Sequence, residues 1–213
     1  MCFSASASFT SGAVLGTLGV GAISRAKASS EIPFASIPLI FSFQQIIEGF
    51  LWIALKDSST YVVPLTYAFL FFALLWWPLY MPFVAYTLET HKIRKTILML
   101  IGLIGLAEGS VLYLIFLRNP STAYIVNHCV YYPLNLPHWA WFAVLYGVAT
   151  IGPGVISSNP KIRLFSALLF VFGLLAWFSY RVNFISVWCF FAAILSLVIF
   201  FSFTLKHSVS AKI

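Results

Sequence analysis

The chain has 213 residues, 62% of them hydrophobic and 8% charged, with a net charge of +7 and a mean hydropathy of +0.99. A soluble globular domain is about a quarter charged, and 22 Phe with 7 Trp are more than one soluble core of this length can hide. A soluble domain is therefore excluded, as is an outer-membrane barrel, whose strands alternate apolar and polar residues.

What remains is an all-α polytopic membrane protein, a single transmembrane domain over residues 1–213 in an inner or plasma membrane. In a soluble protein the positive charge would suggest nucleic acid. Here it is read as a signal of orientation, and no nucleic-acid partner is expected. No basic region precedes the first apolar stretch and no cleavage site is evident, so no cleaved signal peptide is expected.

Seven apolar segments are predicted to span, approximately 9–24, 34–55, 62–88, 97–117, 139–156, 164–180 and 184–205. About 20 helical residues cross the hydrocarbon layer, so the first and fifth are short and the third is long. Arg25, Lys27, Lys92, Arg94, Lys95, Lys161, Arg163, Lys206 and Lys212 then fall on one side, with only Lys56, Arg118 and Arg181 on the other. The positive-inside rule places the N-terminus outside and the C-terminus in the cytoplasm.

The first span carries Gly12-x-x-x-Gly16, a spacing that lets two helices approach closely. Packing inside the bundle is the expected use, with dimerisation as the alternative. The second span holds Gln44, Gln45 and Glu48 near its middle, three or four apart and so on one helical face. A carboxyl at that depth costs several kcal/mol unless it is paired or neutralised, so the face must turn into the protein or a water-filled cavity. The third span contains Trp76-Trp77-Pro78-Leu79-Tyr80-Met81-Pro82, where two prolines four apart must kink or locally open the helix. His91–Lys95 reads as a solvated basic loop near anionic headgroups.

In the fourth span Glu108-Gly109 echoes Glu48-Gly49. With 1.5 Å of rise per residue, Glu48 lies about 10 Å and Glu108 about 13 Å below the outer edge. The connection from Arg118 to Pro137 is long and apolar, and is expected to lie over the bundle as a lid or to dip into it.

Other reactive side chains fall at the same end: Cys2, His128, Cys129, His138, Arg181 and Cys189. Three readings compete for them. The first is a transition-metal site, zinc or copper, with Cys2, Glu48, His128 and His138 as ligands. No metal-ligand spacing is present, so such a site would be assembled from distant spans. The second is acid–base or thiol chemistry, with Glu48, Glu108 and Cys2 as the catalytic candidates. The third is structural: Glu48 hydrogen-bonds within the bundle through Gln44 or Gln45, and Arg181 pairs with one of the acids. A Cys129–Cys189 disulfide would pin the lid to the bundle.

The opening Met1-Cys2-Phe3-Ser4-Ala5-Ser6-Ala7-Ser8-Phe9 resembles the start of an uncharacterised family of small multi-pass membrane proteins that begin M-C-F-S-A-x-A-S-F. Gln44-Gln45-x-x-Glu48-Gly49 with Trp52 looks like that family's second motif. The resemblance covers about the first quarter of the chain. It implies that Cys2 and Glu48 lie in signature motifs, and it implies no activity.

The expectation is a seven-helix bundle with an outward-facing polar site. That site either binds a metal or acts on a lipid-like or other small ligand. A seven-helix sensor, a small-molecule or proton transporter, and a structural partner subunit are the alternatives.

Overall fold

The computed structural model describes residues 4–119, 121–134 and 139–210, with side chains in the last helix as far as Thr204. Eight helices follow one another: α1 Ala5–Ile23, α2 Ser29–Lys56, α3 Val62–Leu88, α4 Lys92–Arg118, α5 Trp139–Thr150, α6 Gly152–Ile156, α7 Pro160–Ser179 and α8 Phe184–Thr204. Between α4 and α5 lies a small antiparallel hairpin, β1 Tyr124–Val126 and β2 Cys129–Tyr131.

Among the described residues six helices are long and apolar enough to cross a membrane: α1, α2, α3, α4, α7 and α8. The stretch expected as a fifth span, 139–156, is instead two pieces, α5 of 12 residues and α6 of 5 residues. Pro153 explains the break, because it offers no N–H to continue the α5 ladder and sits in the opening turn of α6.

Several helices are longer than their apolar cores. Lys92, Arg94 and Lys95, read from sequence as loop, form the first turns of α4 after an extended N-cap at His91. Apolar windows stop at the first charge, but the backbone ladder does not.

Two seams of small residues set the packing. Along α1 and α2, the Ser42 hydroxyl donates to the Gly12 carbonyl at 2.7 Å, and a Cβ on Gly16 would lie 3.0 Å from the Ser42 hydroxyl oxygen. The Gly12-x-x-x-Gly16 stripe thus packs within the bundle.

The second seam joins α3 to α4 and follows from the two prolines. In a regular helix the N–H groups at 78 and 82 would bond the carbonyls of Leu74 and Pro78, and proline supplies neither. Those two carbonyls face glycines of α4. A Cβ on Gly109 would lie 2.7 Å from the Leu74 oxygen, and one on Gly105 only 2.2 Å from the Pro78 oxygen. Directly upstream, residues Phe71–Trp76 of α3 form a π-helical segment. The expected kink is therefore a widened turn followed by two prolines, covered by glycine.

Among the described residues, two large apolar clusters and a small third one around Cys129, Ala176 and Val187 fill the interior. One large cluster, around Phe34, Phe41, Trp77 and Phe165, occupies the end away from the hairpin. The other large one, around Leu51, Trp52, Phe69 and Leu112, lies beneath the hairpin. Gln44, Gln45 and Glu48 sit on α2 between Phe41 and Leu51, at the boundary of the two.

At the end away from the hairpin, Glu89 ties two connections together. Its carboxylate accepts from the Ser158 N–H at 2.7 Å and the Ser158 hydroxyl at 2.8 Å. It also accepts from the N–H groups of Thr90 and His91 at 3.0 and 3.1 Å. Burial pushes this carboxyl up, but the Ser158 and His91 N–H bonds, the Ser158 hydroxyl and the Thr90 N–H outweigh it and hold it at about 2.

Candidate functional site

Gln44, Gln45 and Glu48 share the inward face of α2, and all three are fully buried. Each finds a different partner. Gln45 accepts from the Ser11 hydroxyl of α1 at 3.3 Å and donates to Glu48 Oε2 at 3.5 Å. The other Glu48 oxygen accepts from the Ser186 hydroxyl of α8 at 2.5 Å. Gln44 accepts from Trp77 Nε1 of α3 at 2.8 Å. Phe41 stacks on Trp77 with ring centroids 4.0 Å apart and fixes that indole. One face of α2 therefore holds α1, α3 and α8 through polar bonds.

Glu108, on α4, is 4% exposed, and among the described residues neither carboxyl oxygen has a hydrogen-bond partner. A buried polar group left unpartnered is uncommon and costly. It sits beside Gly109, where α4 meets the widened turn of α3. Tyr146 of α5 reaches the same turn, its hydroxyl donating to the Ala73 carbonyl at 2.6 Å.

Above these groups lies a cavity of about 510 Å³ between α5, α7 and α8. Its walls are mostly apolar and aromatic, with Trp139, Phe142, Trp177 and Trp188 prominent. Val130, Tyr131 and Tyr132 of the hairpin roof it. Ser186 and Cys189, one helical turn apart on α8, supply polar atoms low in the wall, and Arg181 and Asn183 lie at its rim. Ser186 is itself fully buried, so the Glu48–Ser186 bond lies within the cavity wall.

The connection expected to act as a lid does cover this end. Its own Cys129 and Val130 are fully buried, and Tyr132 stacks on Phe69 at 4.6 Å. The Asn183 amide donates to the carbonyls of Val126 and Cys129, at 3.2 and 3.4 Å, and so fastens the hairpin to the α7–α8 turn.

The other expected residues fall as follows. Cys2 and His138 lie outside the described residues. His128 is exposed at the tip of the hairpin, where Asn127 and His128 both take positive φ, 50° and 59°. Glu48, by contrast, is fully buried. Among the described residues no three His, Cys, Asp or Glu side chains gather as a metal site. Arg181 lies over the Trp177 ring at 5.1 Å rather than against an acid. Cys129 and Cys189 are both buried, and no disulfide joins them.

Four residues that the sequence did not single out for the site belong to it: Ser186, Tyr146, Trp77 and Asn183. Ser186 and Tyr146 lie within apolar helices with no motif around them, and Trp77 lies in the Trp76–Pro82 stretch, which marks a kink and not a partner for Gln44. For Asn183 and the hairpin a signal was present. Asn127-His128 stands between Tyr-Ile-Val and Cys-Val-Tyr, a two-residue turn between short β-prone runs.

Searches against curated proteins and against solved structures give no match. A family model described as "Family of unknown function (DUF6629)" matches residues 1–212. The chain thus belongs, over nearly its whole length, to DUF6629, a family of unknown function.

Proposed function

We propose that this protein crosses the bilayer seven times, N-terminus outside and C-terminus in the cytoplasm, and binds a lipid-like ligand in an outward-facing cavity. The distribution of Lys and Arg supports the orientation. Six long apolar helices support the membrane location, and α5 with α6 supplies the seventh crossing. The observation that carries the binding role is the cavity itself. At about 510 Å³ it falls within the usual size of small-molecule sites, roughly 300–1,000 Å³, and it shares their mostly apolar walls with a few polar groups.

Tryptophan quenching tests this. Protein in phosphatidylcholine nanodiscs is titrated with a dibrominated stearyl alcohol, and saturable quenching of the cavity tryptophans is expected. Gly147 lines the cavity, and a Cβ built there meets nothing within 4 Å. Gly147→Phe should therefore fill the space and abolish saturable quenching. Equal quenching in both proteins would sink the binding role.

A second reading, a membrane-embedded enzyme, is favoured by one observation, the Ser186 hydroxyl bonded to Glu48 at the cavity wall. A hydroxyl beside a carboxylate held by a third group is the arrangement of an activated nucleophile. In this reading Gln45 orients Glu48, which takes the Ser186 proton as the serine oxygen adds to an ester carbonyl of the ligand; the ester's alcohol leaves with that proton, and water then hydrolyses the acyl-serine to the free acid. Loss of turnover in Ser186→Ala with ligand binding retained would support it.

The metal reading has less support, because His128 is exposed at the hairpin tip and Glu48 is enclosed. Elemental analysis of the purified protein decides it. The sensor and transporter readings rest on the widened turn of α3 as the moving part.

A further inference from the structure

We infer that the ligand of this cavity is a single-chain amphiphile with an anionic headgroup, a carboxylate or phosphate, held by Arg181. This rests on the binding role proposed above and names the chemistry of what binds.

Among the described residues lining the cavity, Arg181 is the only charged one. The polar groups deeper in the wall are engaged within the protein: the Ser186 hydroxyl with Glu48 and the Tyr146 hydroxyl with Ala73. An apolar chain fits such walls, and the charged group at the rim is the guanidinium.

Its geometry suits an anion. The Arg181 guanidinium lies over the Trp177 ring at 5.1 Å, and Trp177 in turn stacks on Trp139 with centroids 5.6 Å apart and meets Phe184 edge-on, also at 5.6 Å. Stacking uses the face of the guanidinium and leaves its N–H edge open. Among the described residues no acceptor takes those N–H groups. A planar fork of N–H donors matches a carboxylate or phosphate bidentately. A neutral headgroup would leave the fork unused, and a cationic one would be repelled.

The chain belongs below and the headgroup above. Ile151 and Phe170 lie at the deep end of the lining, and Arg181 lies in the turn between α7 and α8. An anionic headgroup on Arg181 therefore directs its chain down the α5–α7–α8 wall, past Cys189.

The test compares three dibrominated probes of equal chain length in phosphatidylcholine nanodiscs: stearate, lysophosphatidate and stearyl alcohol. Quenching by at least one anionic probe is expected at about tenfold lower concentration than by the alcohol, as a charged hydrogen bond implies. Arg181→Gln should close that gap, and Arg181→Lys should keep part of it. A preference for stearate identifies a carboxylate source, and a preference for lysophosphatidate a phosphate source. If the alcohol binds as tightly as both anions, or if the gap survives in Arg181→Gln, the headgroup inference is overturned while the binding role stands. If no probe binds, both fall together.

Discussion

Ser186 and Glu48 are 138 positions apart in the chain, yet the serine hydroxyl lies 2.5 Å from the glutamate oxygen. This bond joins α8, the last helix, to the polar face of α2. Removing the hydroxyl leaves a buried carboxyl oxygen without its donor, and Ser186→Ala is expected to cost about 1–3 kcal/mol. Interhelical hydrogen bonds inside membranes couple by about 0.6 kcal/mol on average and up to about 1.7. A cycle with Ser186→Ala, Glu48→Ala and the double variant, followed by denaturant unfolding in lipid, should return a coupling within that range. Strictly additive losses would mean that the two side chains do not interact.

The α3–α4 seam gives a steric prediction. A Cβ on Gly105 would sit 2.2 Å from the Pro78 oxygen, whereas one on Gly147 meets nothing within 4 Å. Gly105→Ala must push α4 off α3 and should destabilise by about 1–3 kcal/mol, the usual cost of overpacking. Gly147→Ala should be neutral or stabilise by up to about 1 kcal/mol through helix propensity. Thermal unfolding of the two variants side by side reads the difference, and a similar loss in both would refute the seam.

Glu89 supplies the pH dependence. Its carboxyl is held at about 2, below the ordinary 4.5. A group depressed in the fold stabilises it fully above its unfolded value, and that stabilisation is lost as pH falls toward the folded one. The stability gap between wild type and Glu89→Gln should therefore stay constant above about pH 5. It should close as pH falls from 4.5 toward 2. A gap that widens on acidification would contradict the Ser158, Thr90 and His91 bonds.

Cys189 reports on the cavity. Its thiol lies in the cavity wall and is 7% exposed. With Cys2 and Cys129 replaced by Ser, a small apolar maleimide should label Cys189 slowly, and a bound stearyl chain should slow it several-fold further. Labelling that ignores the chain would place the ligand elsewhere.

Much of the bundle is legible in the residues themselves. Continuous hydropathy marks the helices, because a bilayer-length run of apolar side chains has few other uses. The spacing of Gln44, Gln45 and Glu48 marks an inward face, because three buried polar groups on one face need partners. The partners are not legible. Ser186 is a small polar residue in an apolar helix, and only the three-dimensional path of the chain brings it to Glu48. Glu89 looks like an edge residue, since nothing local indicates that it will collect Ser158 from another connection. The division of 139–156 turns on Pro153, a single residue whose missing N–H outweighs the hydropathy around it.

Asn183 is 4% exposed, and its two bonds to the Val126 and Cys129 carbonyls tie the hairpin to the α7–α8 turn. The consequence is kinetic. The walls set how strongly a chain is held, but the roof sets how long it stays. Asn183→Ala should therefore shorten the residence time of a bound amphiphile and speed its entry by a similar factor, leaving its affinity nearly unchanged. Stopped-flow release of a brominated chain measures this directly, and an unaltered off-rate would show that the hairpin is not the gate.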